Sequence, residues 1–189
     1  MGRRLFHLFG TSLFPLLSLF ISREVLLWAV MGTTAGFLLF EGARLVLPGV
    51  NRWFFSSFGA LLRGEEVGRP TGASYVLIST LIVFLIFDKG IAAISLLFLA
   101  IGDPMAGLVG GTLGRIRFFG KSLGGSMAAF LACLGIGFPI ANALGIHLPV
   151  VLAGALSASV VEFLPLPVND NLTMPILSVT AMFLVGLLF

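Results

Sequence analysis

Apolar residues run along this chain in long, almost uncharged stretches: 5–22, 25–40, 70–87, 90–102, 122–148, 149–161 and 172–189, separated by short polar segments. A helix rising 1.5 Å per residue needs about 20 such residues to cross the hydrocarbon core of a bilayer. The pattern predicts an all-α polytopic membrane helix bundle of about seven transmembrane helices. The fourth stretch is interrupted by Asp103-Pro104 and resumes as a small-residue segment through Gly114, which predicts a broken fourth helix. Between the second and third spans, residues 51–63 mix aromatic residues with flanking arginines, the composition of a helix lying in the interface plane.

Composition sharpens this picture. Of 189 residues, 58% are hydrophobic and 10% charged, and the mean hydropathy is +1.13. A soluble domain needs a more polar surface than that. Residues 1–189 are expected to form a single integral membrane domain, with no room for a separate soluble one. The basic start MGRRLFHLFG precedes an apolar run, but no small-residue cleavage site follows, so it reads as the first span. The single cysteine, Cys133, has no partner for an intrachain bridge and reads as packing.

The net charge of +3 matters through its placement, and no nucleic-acid partner is expected. With seven spans, Arg3, Arg4, Arg44, Arg52, Arg63, Arg69, Arg115, Arg117 and Lys121 share one side, against only Arg23 and Lys89 on the other. By the positive-inside rule the first side is cytoplasmic.

Ionisable residues inside spans are costly and mark functional sites. Counted from the external ends, Asp103 lies roughly 20 Å along the fourth span and Glu162 about as far along the sixth, so the two carboxylates are expected at similar depth and in one pocket. His7 follows Arg3 and Arg4 by about one helical turn and can share a face with them. Asp103 before Pro104 has the grammar of an N-cap followed by a first-turn proline. Gly107, Gly110 and Gly114 then leave a face without bulk, for another helix or for a ligand. A helix N-terminus attracts phosphate, and a carboxylate beside it can hold the magnesium that phosphate brings. Arg115, Arg117 and Lys121 follow on the same side, where basic residues also serve topology. Glu162 with Asn169, Asp170 and Asn171 adds acids and amides that topology does not require. Such a gathering suits a magnesium-nucleotide, although Asp170-Asn171 can equally cap the last helix. The linker 64–75, with Arg69, Thr71 and Tyr75, is dense in groups that bind oxyanions.

In order, the motifs Arg-Arg-x-x-His, Glu-Glu-x-x-Arg-Pro-Thr-Gly, Gly-Asp-Pro-x-Ala-x-x-x-Gly, Gly-Lys-Ser and Glu-(x)7-Asp-Asn-Leu-Thr-x-Pro cover nearly the whole chain. This arrangement resembles the family of dolichol kinase, phytol kinase and CTP-dependent diacylglycerol kinase. Residues 103–110 with Lys121 look like that family's CTP-transfer motif. The resemblance implies transfer of the terminal phosphate of CTP to the hydroxyl of a lipid alcohol: polyprenol or dolichol-like by preference, otherwise phytol or diacylglycerol. It implies catalytic roles for Asp103 and Lys121, and phosphoryl transfer at such a site leaves Glu162 or His7 to accept the hydroxyl proton. Nucleotide contacts fall to Arg3, Arg4, Arg69, Gly107, Gly110, Lys121 and Ser122, and Mg2+ to Asp103, Asp170 and Asn171. Where the family usually has a glutamate after this lysine, the chain has Gly124; Glu162 or Asp170 can replace that carboxylate, or nucleotide preference or rate changes. A phosphatidate-type cytidylyltransferase and a small membrane transporter or scaffold are the competing readings.

Overall fold

The computed structural model describes residues 2–112, 117–118 and 120–189, apart from the side chains of Arg3 and Arg4. Eight α-helices are present among these residues: α1 (Gly2–Ser18), α2 (Arg23–Val46), α3 (Pro48–Phe58), α4 (Gly72–Ile86), α5 (Lys89–Thr112), α6 (Leu123–Ala143), α7 (Leu148–Phe163) and α8 (Asp170–Gly186). Two 3-10 turns, Gly59–Leu61 and Gly64–Gly68, connect α3 to α4. A two-strand hairpin, β1 (Arg117–Phe118) and β2 (Lys121–Ser122), connects α5 to α6.

Every apolar stretch of the sequence forms a helix. By length and composition α2, α5 and α6 can each cross a membrane, while residues 5–18 of α1 and the helices α4, α7 and α8 are shorter and apolar. Large side chains such as Phe9, Phe20, Trp28, Leu39 and Leu188 stand exposed on the outside. A soluble monomer rarely carries so much contiguous apolar surface. Together these features point to a membrane protein.

The centre of the bundle is α5, whose residues 92–100 are all buried and which packs against α1, α4, α6, α7 and α8. Where the surrounding solvent is apolar, helices associate through close packing more than through the hydrophobic effect, so small residues recur at their crossings. The Phe98 ring shows this: a Cβ added to Gly137 would come within 2.7 Å of it, and one added to Gly154 within 3.0 Å. Cys133 is buried in the same core, in keeping with its reading as packing.

Two expectations are corrected here. The fourth span is not broken: α5 runs without interruption through Pro104. Asp103 is therefore a mid-helix residue and not an N-cap. Proline inside a helix removes one backbone hydrogen bond, and within a packed bundle the neighbouring helices make that loss tolerable. In the loop to α6, Arg117-Phe118 also pairs with Lys121-Ser122 as a hairpin, which the sequence pattern did not announce.

Contacts between helix ends show that the seven apolar helices, α1, α2 and α4 to α8, alternate in direction. At one end Lys89 Nζ donates to the Ile21 carbonyl (3.0 Å), Arg23 Nη2 donates to the Phe84 carbonyl (3.1 Å), and His147 stacks on Phe189 (5.0 Å). The opposite end gathers the starts of α4, α6 and α8 with the ends of α2, α5 and α7. Most of the described acids and amides collect there, with Glu24, Asp88 and Asn142 at the other end.

Candidate functional site

At this polar end, small residues of α5 and the start of α6 enclose a cavity of about 200 Å³. One wall is Ala106, Gly107, Gly110 and Gly111 of α5, and the other is Ser122, Gly125 and Ser126. The helices approach closely because both faces lack bulk. A Cβ on Gly125 would lie 2.7 Å from the Ala106 carbonyl oxygen, and one on Gly110 would lie 2.7 Å from Ser122 Oγ. Gly125→Ala must therefore push α5 and α6 apart, at a cost of about 1–3 kcal/mol for overpacking. Gly111→Ala meets nothing within 4 Å and is expected to leave the thermal unfolding midpoint in detergent unchanged. Equal midpoints for the two variants would show that the crossing is not tight.

Ser122 starts α6 as its N-cap, with Oγ accepting from the Gly125 N–H at 2.9 Å. Gly120, at φ +82°, supplies the left-handed residue that turns the hairpin back. This turn delivers Lys121 to the mouth of the cavity. Its Nζ donates to Asp170 Oδ2 at 3.0 Å and lies 3.6 Å from Glu162 Oε2. Glu162 belongs to the last turn of α7 and is only 9% exposed, and its Oε2 has no hydrogen-bond partner among the described residues. Just beyond the apolar run 149–161, it sits level with the hairpin.

Asp170 opens α8, where a carboxylate also suits the helix dipole. Asn169 caps this helix by accepting from the Asn171 N–H at 3.0 Å. The Asn171 side chain ties α8 to α4: its Nδ2 donates to the Gly72 carbonyl at 3.1 Å, and its own carbonyl accepts from Ser79 Oγ at 2.9 Å.

His7 and Asp103 form a second group. His7 Nε2 lies 3.7 Å from Asp103 Oδ2, and neither residue lines the cavity. Of Asp103 and Glu162, expected in one pocket, only Glu162 lines this one. Arg69 is exposed at the same end, and its carbonyl accepts from Arg44 Nη2 at 2.8 Å. The side chains of Arg3 and Arg4, and all of Arg115 and Gly114, lie outside the described residues. Among the described residues, no three His, Cys, Asp or Glu side chains converge as a ready-made metal cage.

Some residues of this end were not assigned to the site by the sequence reading, or were read there only as charges. Gly125 and Ser126 line the cavity, and small residues opening a helix after Gly-Lys-Ser were the signal for them. Arg117 also lines it, with Nη2 donating to the Gly110 carbonyl at 3.4 Å. Away from the cavity the end also holds a buried pair, Glu41 and Arg44, whose signal was two opposite charges one turn apart at the end of an apolar stretch.

Comparison with known proteins adds a direction. The chain aligns over 181 residues, at 26% identity, with an uncharacterised protein of Rickettsia prowazekii, covering 92% of this chain and 88% of that one. It aligns with CTP-dependent diacylglycerol kinase 1 of Eremothecium gossypii at 34% identity over 97 residues, 50% of this chain and 31% of the kinase. The Saccharomyces cerevisiae protein of the same name is 28% identical over 113 residues, 58% of this chain and 39% of the kinase. The chain thus spans well under half the length of the two kinases it matches. No protein-family model matches the chain, and no solved structure matches it. The partial similarities suggest the family of CTP-dependent diacylglycerol kinases and, at that level, a lipid kinase.

Proposed function

We propose that the chain is a seven-span integral membrane kinase that transfers the terminal phosphate of CTP to the hydroxyl of a lipid alcohol at the cytoplasmic face. One observation carries the reading: Lys121, between Glu162 and Asp170, sits at the mouth of a small-residue cavity beside the N-terminus of α6. Backbone N–H groups at a helix start and a lysine are the groups that cradle phosphate. Walls of glycine and alanine let phosphate oxygens approach backbone.

Three carboxylates gather at this end: Glu162 and Asp170 flank Lys121, and Asp103 lies beside His7 of α1. Lys121 is shared between Glu162 and Asp170, which leaves negative charge for a further cation to offset, and carboxylate oxygens suit magnesium. Asp103 and Asp170 would hold it, with Asn171 able to offer its amide oxygen. When bound with the nucleotide, the ion neutralises phosphate charge. Gly107, Gly110 and Ser122 border the phosphates, while Arg3, Arg4 and Arg69 supply cations from the rim.

The lipid hydroxyl oxygen forms a bond to the terminal phosphorus as the bond to the CDP oxygen breaks. Its proton passes to Glu162, which lines the cavity; His7 holds Asp103 from α1. Transfer of this kind relies mainly on in-line positioning and charge neutralisation. Two relatives are called diacylglycerol kinases, so diacylglycerol joins polyprenol at the head of the acceptors to try.

The test supplies the purified protein with magnesium, γ-labelled CTP or ATP, and diacylglycerol, polyprenol and phytol. Label from CTP in the organic phase is expected. Label from ATP alone would discard the nucleotide. Release of pyrophosphate with no label transferred would replace the kinase with a cytidylyltransferase, and no reaction with either nucleotide would favour a transporter or scaffold.

A further inference from the structure

The polar end contains one element that touches neither the cavity nor its ions. Glu41 and Arg44 close α2, and both are enclosed: Arg44 is 0% and Glu41 3% exposed. The Arg44 fork grips the carboxylate with Nε on Oε2 at 3.1 Å and Nη2 on Oε1 at 2.7 Å. Its remaining N–H groups donate to Asn51 Oδ1 (3.0 Å) and to the carbonyls of Val67 (3.5 Å) and Arg69 (2.8 Å). The rings of Phe54 and Phe55 flank the guanidinium at 5.4 and 5.6 Å. Glu41 Oε1 also accepts from the Thr71 N–H. A buried ion pair is a poor way to gain stability, because desolvation offsets the attraction and apolar residues of similar volume serve as well or better. What this pair supplies instead is position: it fixes two carbonyls and an amide within residues 67–71.

That segment leads directly to the cavity. Glu66 completes the hold on it, accepting from the Arg63 and Gly72 N–H groups, each at 2.7 Å. The Gly72 carbonyl then receives Asn171 Nδ2 at 3.1 Å, so tightly that a Cβ on Gly72 would lie 3.0 Å from that nitrogen. Asn171 follows Asp170, the partner of Lys121. We infer that the Glu41–Arg44 pair is a positioning element of the phosphate-donor site, setting Arg69 and the first turn of α8 against Lys121. The inference rests on the proposed kinase reading.

Steady-state kinetics of wild type, Arg44→Lys and Glu66→Gln, with nucleotide and lipid each varied, tests it. Lysine keeps the charge but loses the fork, and glutamine keeps the shape but can accept at only one oxygen. Each variant is expected to raise the nucleotide KM by about tenfold or more, the loss of a charge-assisted hydrogen bond's worth of binding, while the lipid KM stays at the wild-type value. A merely structural role would scale the rate with the folded fraction and leave both KM values unchanged, and that result overturns the inference. Should Arg44→Lys fail to fold, Glu66→Gln decides alone. No phosphate transfer by wild type overturns the kinase reading and the inference with it; transfer by wild type with unchanged KM values in the variants overturns the inference only.

Discussion

Lys121→Ala is expected to reduce transfer of label from CTP to lipid by about 10²–10³-fold, the scale of removing one charge-stabilising donor from a site where negative charge develops. The lysine is the cation held 3.0 Å from Asp170 and 3.6 Å from Glu162, so its removal leaves two carboxylates facing an incoming triphosphate. Repulsion then adds to the lost attraction. Lys121→Arg keeps the charge and is expected to retain part of the rate, less than wild type because the longer planar fork cannot occupy the position of a point charge between two acids. Lys121 is about a quarter exposed, so the alanine variant should insert and elute from a sizing column as wild type does. The measurement is initial rate against nucleotide concentration with protein of matched elution. A Lys121→Ala rate within threefold of wild type would remove the lysine from the chemistry and, with it, the main support for the cavity as the donor site.

Much of the fold was legible because the membrane imposes one simple rule. Spans must be apolar and nearly uncharged, so each apolar stretch marked a helix, although α2 runs six residues and α5 ten residues past the stretches that marked them. The gathering of charges at one end was legible too, since topology alone does not call for Glu162, Asp170 and Asn171 beside Lys121. The misreading of Pro104 has a local cause. In water a mid-helix proline costs about 3 kcal/mol and reads as a break, whereas in α5 the surrounding helices hold the segment helical on both sides of it. The hairpin was hidden for another reason: strands of two residues are too short to show any period.

Partnerships across the chain were less accessible. Nothing local told that His7 would meet Asp103, because that contact depends on which face α1 turns to α5. Arg44 was read as one more charge on the basic side, yet its partners Val67 and Arg69 lie 23 and 25 residues away. Only the folded linker brings them to it. Gly107 and Gly110 illustrate an intermediate case. Their spacing announced a bulk-free face, but a packed helix and a ligand were equally compatible with it, and the structure uses the face for both: close to Ser122 the glycines let helices touch, and beside it they leave a cavity.

Arg44→Met is expected to be the most damaging single substitution for stability, at about 3–5 kcal/mol, because it leaves the Glu41 carboxylate buried without its cation. For a chain of this size that corresponds to a fall of roughly 6–20 °C in the unfolding midpoint. Glu41→Leu should cost less. Arg44 would then keep its acceptors on Asn51, Val67 and Arg69 and the rings of Phe54 and Phe55, whereas Glu41 without Arg44 keeps only the Thr71 N–H among its described partners. The double variant Glu41→Leu/Arg44→Met removes both charges and should recover most of the loss, since a buried pair replaced by apolar residues of similar volume is often neutral or better. Thermal unfolding of the three variants in one detergent reads this directly, as a double-mutant cycle. Costs that simply add would show that the two charges are not coupled. Recovered stability with a nucleotide KM still raised would separate the two things the pair does, because the apolar replacement can fill the space at the end of α2 but cannot hold the carbonyls of Val67 and Arg69.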